Sequence, residues 1–261
     1  MFRPLNDDHA IESVKFALLL TRPITPKAIF EIERQHSLWQ DEMPAKRIID
    51  IDVDVNGRAT KAPGIMFAFL RPDATPMWSM QIGSSQIEIE CYIYSRWDRT
   101  WGIAREHFQN AIRILASAQE KLMVSAVNLM VKDAFLSDAK SYSITNLLKS
   151  SDKLPQSVLD AIGPWNTYFS WMIEENKDVR TLHAFDVDVS WQSDEARVEI
   201  THVQTRNTGV DLALADILDD DFQALGSIME ALHRSNKLLL SELIVGDMSE
   251  RIGLGESNGK L

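Results

Sequence analysis

Cysteine is nearly absent: Cys91 is the only one among 261 residues. A single thiol excludes an internal disulfide framework and a cysteine zinc cluster. It alternates with Ile87, Ile89 and Ile93, which predicts a small buried residue rather than a nucleophile. No apolar run is long enough to span a bilayer. Residues 1–9 lack the basic region and apolar core of a secretory signal, so the expected location is cytoplasmic. No cluster of lysines or arginines occurs either. With 27 basic against 38 acidic side chains and a net charge of −11, the chain repels phosphate backbones. That sets nucleic acid aside and suits solubility or a basic protein partner. HExxH, GxSxG, P-loop and dinucleotide glycine patterns are all missing.

What the chain does have is periodicity. Phe222, Leu225, Met229, Leu232, Asn236, Leu239 and Leu243 follow at steps of three and four. They predict one stripe of a long helix over 219–244. Asp219, Asp220 and Asp221 stand where carboxylates satisfy free N–H groups, and Gly246 follows as a stop. Ile228, Leu238 and Leu240 widen the stripe, which favours a helix docked on a sheet over a free coiled coil.

The chain opens with a strand over 11–21, apolar on both sides. Pro23 and Pro26 end it, and a helix runs from Pro26 to about 40, burying Ile29, Ile32 and either Leu38 or Trp39. Residues 47–55 alternate Ile49, Ile51, Val53 and Val55 with Asp50, Asp52 and Asp54, and Asn56-Gly57 is a turn. A strand at 64–70, a hairpin over 77–94 and a second long helix over 101–118 follow, with Asp98 or Thr100 as its cap. The order then begins again: a strand at 122–135, a short helix at 155–162, strands at 165–173, 182–191 and 196–205, and the closing helix. MWSMQIGSSQIEIECYI (77–93) and VDVSWQSDEARVEITHV (187–203) both place a Ser-centred turn between alternating strands ahead of a long helix. The fold expected is α+β, a largely antiparallel sheet in two similar strand-helix-strands-helix halves. They would occupy 1–120 and 121–253, packed as one body, with a disordered tail at 254–261. The rival is coincidence between two ordinary hairpins.

The opening strand HAIESVKF and the closing helix LHRSNKLLLSELI, followed by Gly-Asp-Met-Ser-Glu, resemble a sporadically distributed family of uncharacterised prokaryotic proteins. The resemblance spans nearly the whole chain and rests on strand and helix patterns. It implies a shared fold and a place in a mobile or defence-associated gene set, and it supplies no catalytic residues.

Three groups of side chains invite a functional reading. The first is acidic: Asp50, Asp52 and Asp54 on one strand face, Glu88 and Glu90 on another, and Asp186, Asp188, Glu195 and Glu199 in the second half. Hard cations prefer such oxygen ligands. Residues two apart on a strand lie ~6.6 Å from each other, however, so neighbours do not converge on one ion without help. The second is histidine. His183 should face away from Asp186 and Asp188, His202 reads as a core-edge residue, and His107 and His233 flank helix stripes. The third is tryptophan: Trp39, Trp78, Trp97, Trp101, Trp165, Trp171 and Trp191. Core packing explains most of them, and a binding face is the sharper reading. Asn236, polar in an apolar seam, would fix register or partner choice.

These features favour a non-enzymatic protein-binding or regulatory protein. The expected partner is another protein or a second copy, with no membrane, no cofactor, and no catalytic or metal-binding residues. Trp97, Trp101 and Asn236 are the candidate partner-binding residues. A metal-dependent hydrolase or nuclease using the acidic strand faces, and a chaperone-like binder of unfolded segments, are the alternatives.

Overall fold

The computed structural model describes residues 1–55, 58–137, 142–192 and 195–254. The expected Asn56-Gly57 turn, the Ser193-centred turn and the tail beyond Leu254 lie outside these residues. Along the chain come β1 (Phe2–Pro4), β2 (Ile11–Leu20), α1 (Pro26–Arg34), β3 (Ala45–Val55), β4 (Arg58–Leu70), β5 (Pro76–Gly83), β6 (Gln86–Cys91) and α2 (Trp97–Ala118). They are followed by β7 (Met123–Ser137), α3 (Gln156–Leu159), β8 (Trp165–Glu174), β9 (Arg180–Gln192), β10 (Glu195–Ala213), α4 (Leu214–Asp219), α5 (Gln223–Leu243) and α6 (Gly246–Arg251).

The strands form one sheet in the order β3-β4-β5-β6-β2-β7-β10-β9-β8, with β1 added beside β7. The pairings are antiparallel throughout. The architecture is α+β. At its centre β2 and β7 pair, Phe16 opposite Leu129 and Leu18 opposite Val127. Period-two alternation then decides which side is dry. Val14, Phe16 and Leu18 on β2, Ile87 and Ile89 on β6, and Val127, Leu129 and Val131 on β7 all enter one core beneath α2. Among the described residues no helix is long and apolar enough to cross a membrane.

Both long helices lie on that one face. α2 buries Trp101, Ala104, Phe108, Ala111 and Leu115, the predicted stripe. α5 bridges two apolar clusters: Leu225, Met229 and Leu232 join the first with α2, and Leu239, Leu240 and Leu243 join the second over β9 and β10. Asn236 sits between them and is buried. Leu238, expected to widen the stripe, points outward at 63% exposure.

The helix starts need correction. The closing helix does not begin at Asp219, because α4 ends there and the chain turns through Asp221 and Phe222, both with positive φ (52° and 63°). A phenylalanine in that conformation is strained, and it is held because its ring is 1% exposed in the first cluster. Only Asp220 meets the cap expectation, its Oδ2 accepting from the Ala224 N–H at 3.1 Å; Asp221 pairs with Arg105 at 2.8 Å. α2 starts at Trp97, four residues before the predicted start, so Asp98 lies in its first turn and Arg96 is an N-cap without a side-chain bond. α1 stops at Arg34, with a separate 3-10 turn over His36–Leu38, after which Trp39 is buried and Leu38 exposed. Ile93 lies beyond the end of β6 and is 39% exposed rather than in the alternating core row.

Candidate functional site

The acidic strand faces lie on the side of the sheet away from the helices, and much of their charge is already matched. Glu12 and Glu199 share Lys132, at 3.2 and 2.9 Å, and Arg197, at 2.7 and 2.6 Å. This network ties β2, β7 and β10 together across the centre. Burial would raise the Glu199 carboxyl, but hydrogen bonds from Lys132 and Arg197 hold it below the usual range. Glu90 faces Lys15 at 3.9 Å, Asp50 faces Lys61 at 3.8 Å, and Asp186 accepts from Asn166 at 2.7 Å. Among the described residues no three His, Cys, Asp or Glu side chains converge as a metal site would need. The side chains of Asp52 and Asp54 lie outside the described set.

On the helix-covered face, α5, the end of α6, the start of β2, Asp133 of β7 and the segment 94–98 leading into α2 line an open cavity of about 630 Å³. Trp97 and Asn236 line it. Trp97 is 8% exposed; its ring stacks on His233 (3.9 Å between centroids, 3° between planes) and its Nε1–H donates to Glu230. Trp101 lies behind it, 7% exposed, with its faces against Phe16, Trp97 and Phe108. Burial holds the His233 imidazole neutral, pushed down to about 4, with Lys237 and Arg234 acting in the same direction.

Asn236 also anchors a buried polar row. Its Oδ1 lies 2.9 Å from His202 Nδ1. An amide oxygen only accepts, so that nitrogen carries the proton and His202 Nε2 accepts from His183 Nδ1 at 3.1 Å. His183 in turn stacks on Trp171 at 4.8 Å, and Lys153 lies over the indole at 5.3 Å. Burial lowers both imidazoles, His202 to about 4. Gln204 Nε2 adds a bond to the Leu232 carbonyl at 2.9 Å. Together these bonds fix where α5 rests along β10. The histidine reading placed His183 and His202 on the inner side, but not against each other; strand register puts His202 opposite Phe185 and His183 opposite Gln204, so they meet on the diagonal.

Asp133 escaped the sequence reading. It occupies the inner row of β7 that Val127, Leu129, Val131 and Phe135 otherwise fill, and it is 3% exposed. Burial pushes its carboxyl up to about 7. The available signal was the alternation itself: one carboxylate interrupts an otherwise apolar row.

At the far end of the sheet, among the described residues, β8 pairs with β9 alone, leaving one edge open. Tyr168 and Met172 on one of its faces are 64% and 54% exposed, and Phe169 and Ile173 on the other are 40% and 45% exposed. Leu182 on β9, opposite Met172, adds to the first group at 44%. No family model matches the chain, and no curated protein matches its sequence.

Proposed function

We propose that this chain is a non-enzymatic protein-binding protein that receives an extended polypeptide segment along β8. The observation that carries the reading is the composition of that edge. WNTYFSWMIE contains no proline, lysine or arginine, the residues that ordinarily protect an open strand from pairing. A segment laid beside it would find unpaired backbone donors and acceptors, and apolar side chains on both faces to alternate with. Backbone pairing tolerates many sequences, which also accommodates the chaperone-like reading. Specificity would come from the Tyr168–Met172–Leu182 surface.

The test measures fluorescence anisotropy of labelled ten-residue peptides with alternating apolar side chains against the full chain. Tyr168→Lys combined with Met172→Lys should weaken binding at least about tenfold, a loss of ~1.4 kcal/mol, while leaving the melt unchanged. No peptide binding, or equal binding by the double variant, overturns the reading. Light scattering of the free protein separates a foreign segment from a second copy.

We further infer that the two halves are related units. In support, strand order runs outward from the central pair in the same sequence over four strands on each side, β2-β6-β5-β4 and β7-β10-β9-β8, with β3 an additional edge strand in the first half. The long helices α2 and α5 follow β6 and β10, α5 after the short α4. A pseudo-twofold axis through an antiparallel β2/β7 pair accounts for both. Separate expression of 1–120 and 121–253 should give two insoluble fragments, because each exposes the apolar inner row its neighbour covers. Two soluble, folded fragments would count against it.

A further inference from the structure

The 630 Å³ cavity under α5 has a floor unlike the rest of the inner sheet face. Asp133 places a carboxylate there, 97% removed from solvent by its 3% exposure, and it has no hydrogen-bond or ion-pair partner among the described residues. A buried carboxylate left without a donor is costly, and folds ordinarily give such a group a partner. Asn236, by contrast, is bonded to His202, and the Gln204 Nε2–H donates to the Leu232 carbonyl while its Oε1 stays unpaired among the described residues. Among the described residues, Asp133 is the buried carboxylate that lines this cavity.

Aromatic side chains form part of the wall around that space. Tyr94, the Trp97–His233 stack and Asn236 line it. Burial and the Asp133 carboxylate both raise the Tyr94 phenol, so Tyr94 stays neutral and can present an edge or its hydroxyl. His233 is kept neutral by burial as well, leaving no fixed positive charge on the stack beside the carboxylate. Charges of both signs also line the cavity, Asp8, Asp98 and Glu250 against Arg96, Lys237 and Arg251, so apart from Asp133 they balance. A buried acid in a cavity lined in part by neutral aromatic side chains suits an organic cation: the carboxylate supplies charge and acceptors, the Tyr94 hydroxyl can accept a further N–H, and the rings cover the alkyl part.

We propose that this cavity is a binding site for an alkylammonium group, carried by a small amine or by a lysine side chain, whose nitrogen donates to Asp133. The proposal is independent of the β8 edge and would survive its failure.

The experiment is isothermal titration calorimetry on the full chain at pH 8, where the carboxylate is ionised. The probes are n-butylamine and an end-blocked tripeptide with a central lysine; the controls are n-butanol and the same tripeptide acetylated on the lysine. At least one ammonium probe should bind one to one, at least about tenfold tighter than its neutral counterpart, and Asp133→Asn should abolish the preference. Binding of butylamine identifies a small amine as sufficient, and binding of the peptide alone identifies a lysine side chain; both support the site. In case Asp133→Asn does not fold, the carboxyl carbon resonance of Asp133 in the unaltered protein provides the second readout, and it should move with the amine and not with the alcohol. Absence of binding by both ammonium probes, equal binding by Asp133→Asn, or an unmoved resonance overturns the proposal.

Discussion

The sheet ends in two edges of opposite character. β3 carries Lys46, Arg47 and Asp50, with Lys46 paired to Glu33 at 3.1 Å and Asp50 to Lys61 at 3.8 Å. An apolar residue is exposed there too, Ile48 at 51%. It stands alone between charges, and a strand docking beside it would have to strip water from them. β8 has the same kind of open ladder and exposes Tyr168, Phe169, Met172 and Ile173 with Glu174 as its only charge. Exposure of apolar atoms is common to both ends; what differs is whether charge stands guard over it. The comparison locates the available surface better than a count of tryptophans does, since Trp97 and Trp101 are buried.

The largest expected effect tests whether the two ends fold together. Leu232→Ala removes packing on the β3 side of α5 and Leu239→Ala on the β8 side, and each should cost ~2–5 kcal/mol. Because α5 bridges both clusters, urea unfolding of either variant should remain one transition. Two transitions would show ends that fold separately, and an unmoved midpoint would deny α5 its organising role.

Next comes pH, where the centre and the flanks pull in opposite directions. His107, His202 and His233 are lowered to about 4 by burial, against an ordinary 6.5. Between those values the unfolded chain binds more protons. Their contribution is therefore whole above pH 6.5 and lost as the pH falls toward 4. Asp133 is raised from 3.8 to about 7. Its contribution is present below the unfolded value and lost as the pH climbs to 7. Asp133→Asn should then stabilise the protein at pH 8 by roughly 2–4 kcal/mol and change little at pH 4. Midpoints of denaturant unfolding across that range check the sign.

The smallest effects on stability should come from the edges themselves, and they break the comparison if it is wrong. Replacing Asp50, Asp52 and Asp54 together by Asn should stay within ~0.5 kcal/mol while unguarding β3, so light scattering should show new self-association. A tight, stoichiometric magnesium or manganese signal lost in that variant would instead favour the hydrolase reading. Tyr168→Lys with Met172→Lys should likewise leave stability within ~0.5 kcal/mol and close the β8 edge to peptides.

Local pattern and long-range register divided the work in this protein. The stripes of α2 and α5, the inward Cys91 and the alternation of β6 and β9 were all legible, because a period of 3.6 or 2 is written in consecutive residues. The break at Asp220–Phe222 was not, since the apolar spacing continues through Phe222 and only the tertiary pocket for its ring holds that backbone with positive φ. Nor could the chain say that WNTYFSWMIE lies at the rim of the sheet. A strand's sequence sets its two faces, while its neighbours are chosen by segments far along the chain. Asp133 belongs to both: the alternation of β7 puts it on the inner side, and only the packing of α5 over β2 and β7 leaves a cavity there instead of a partner.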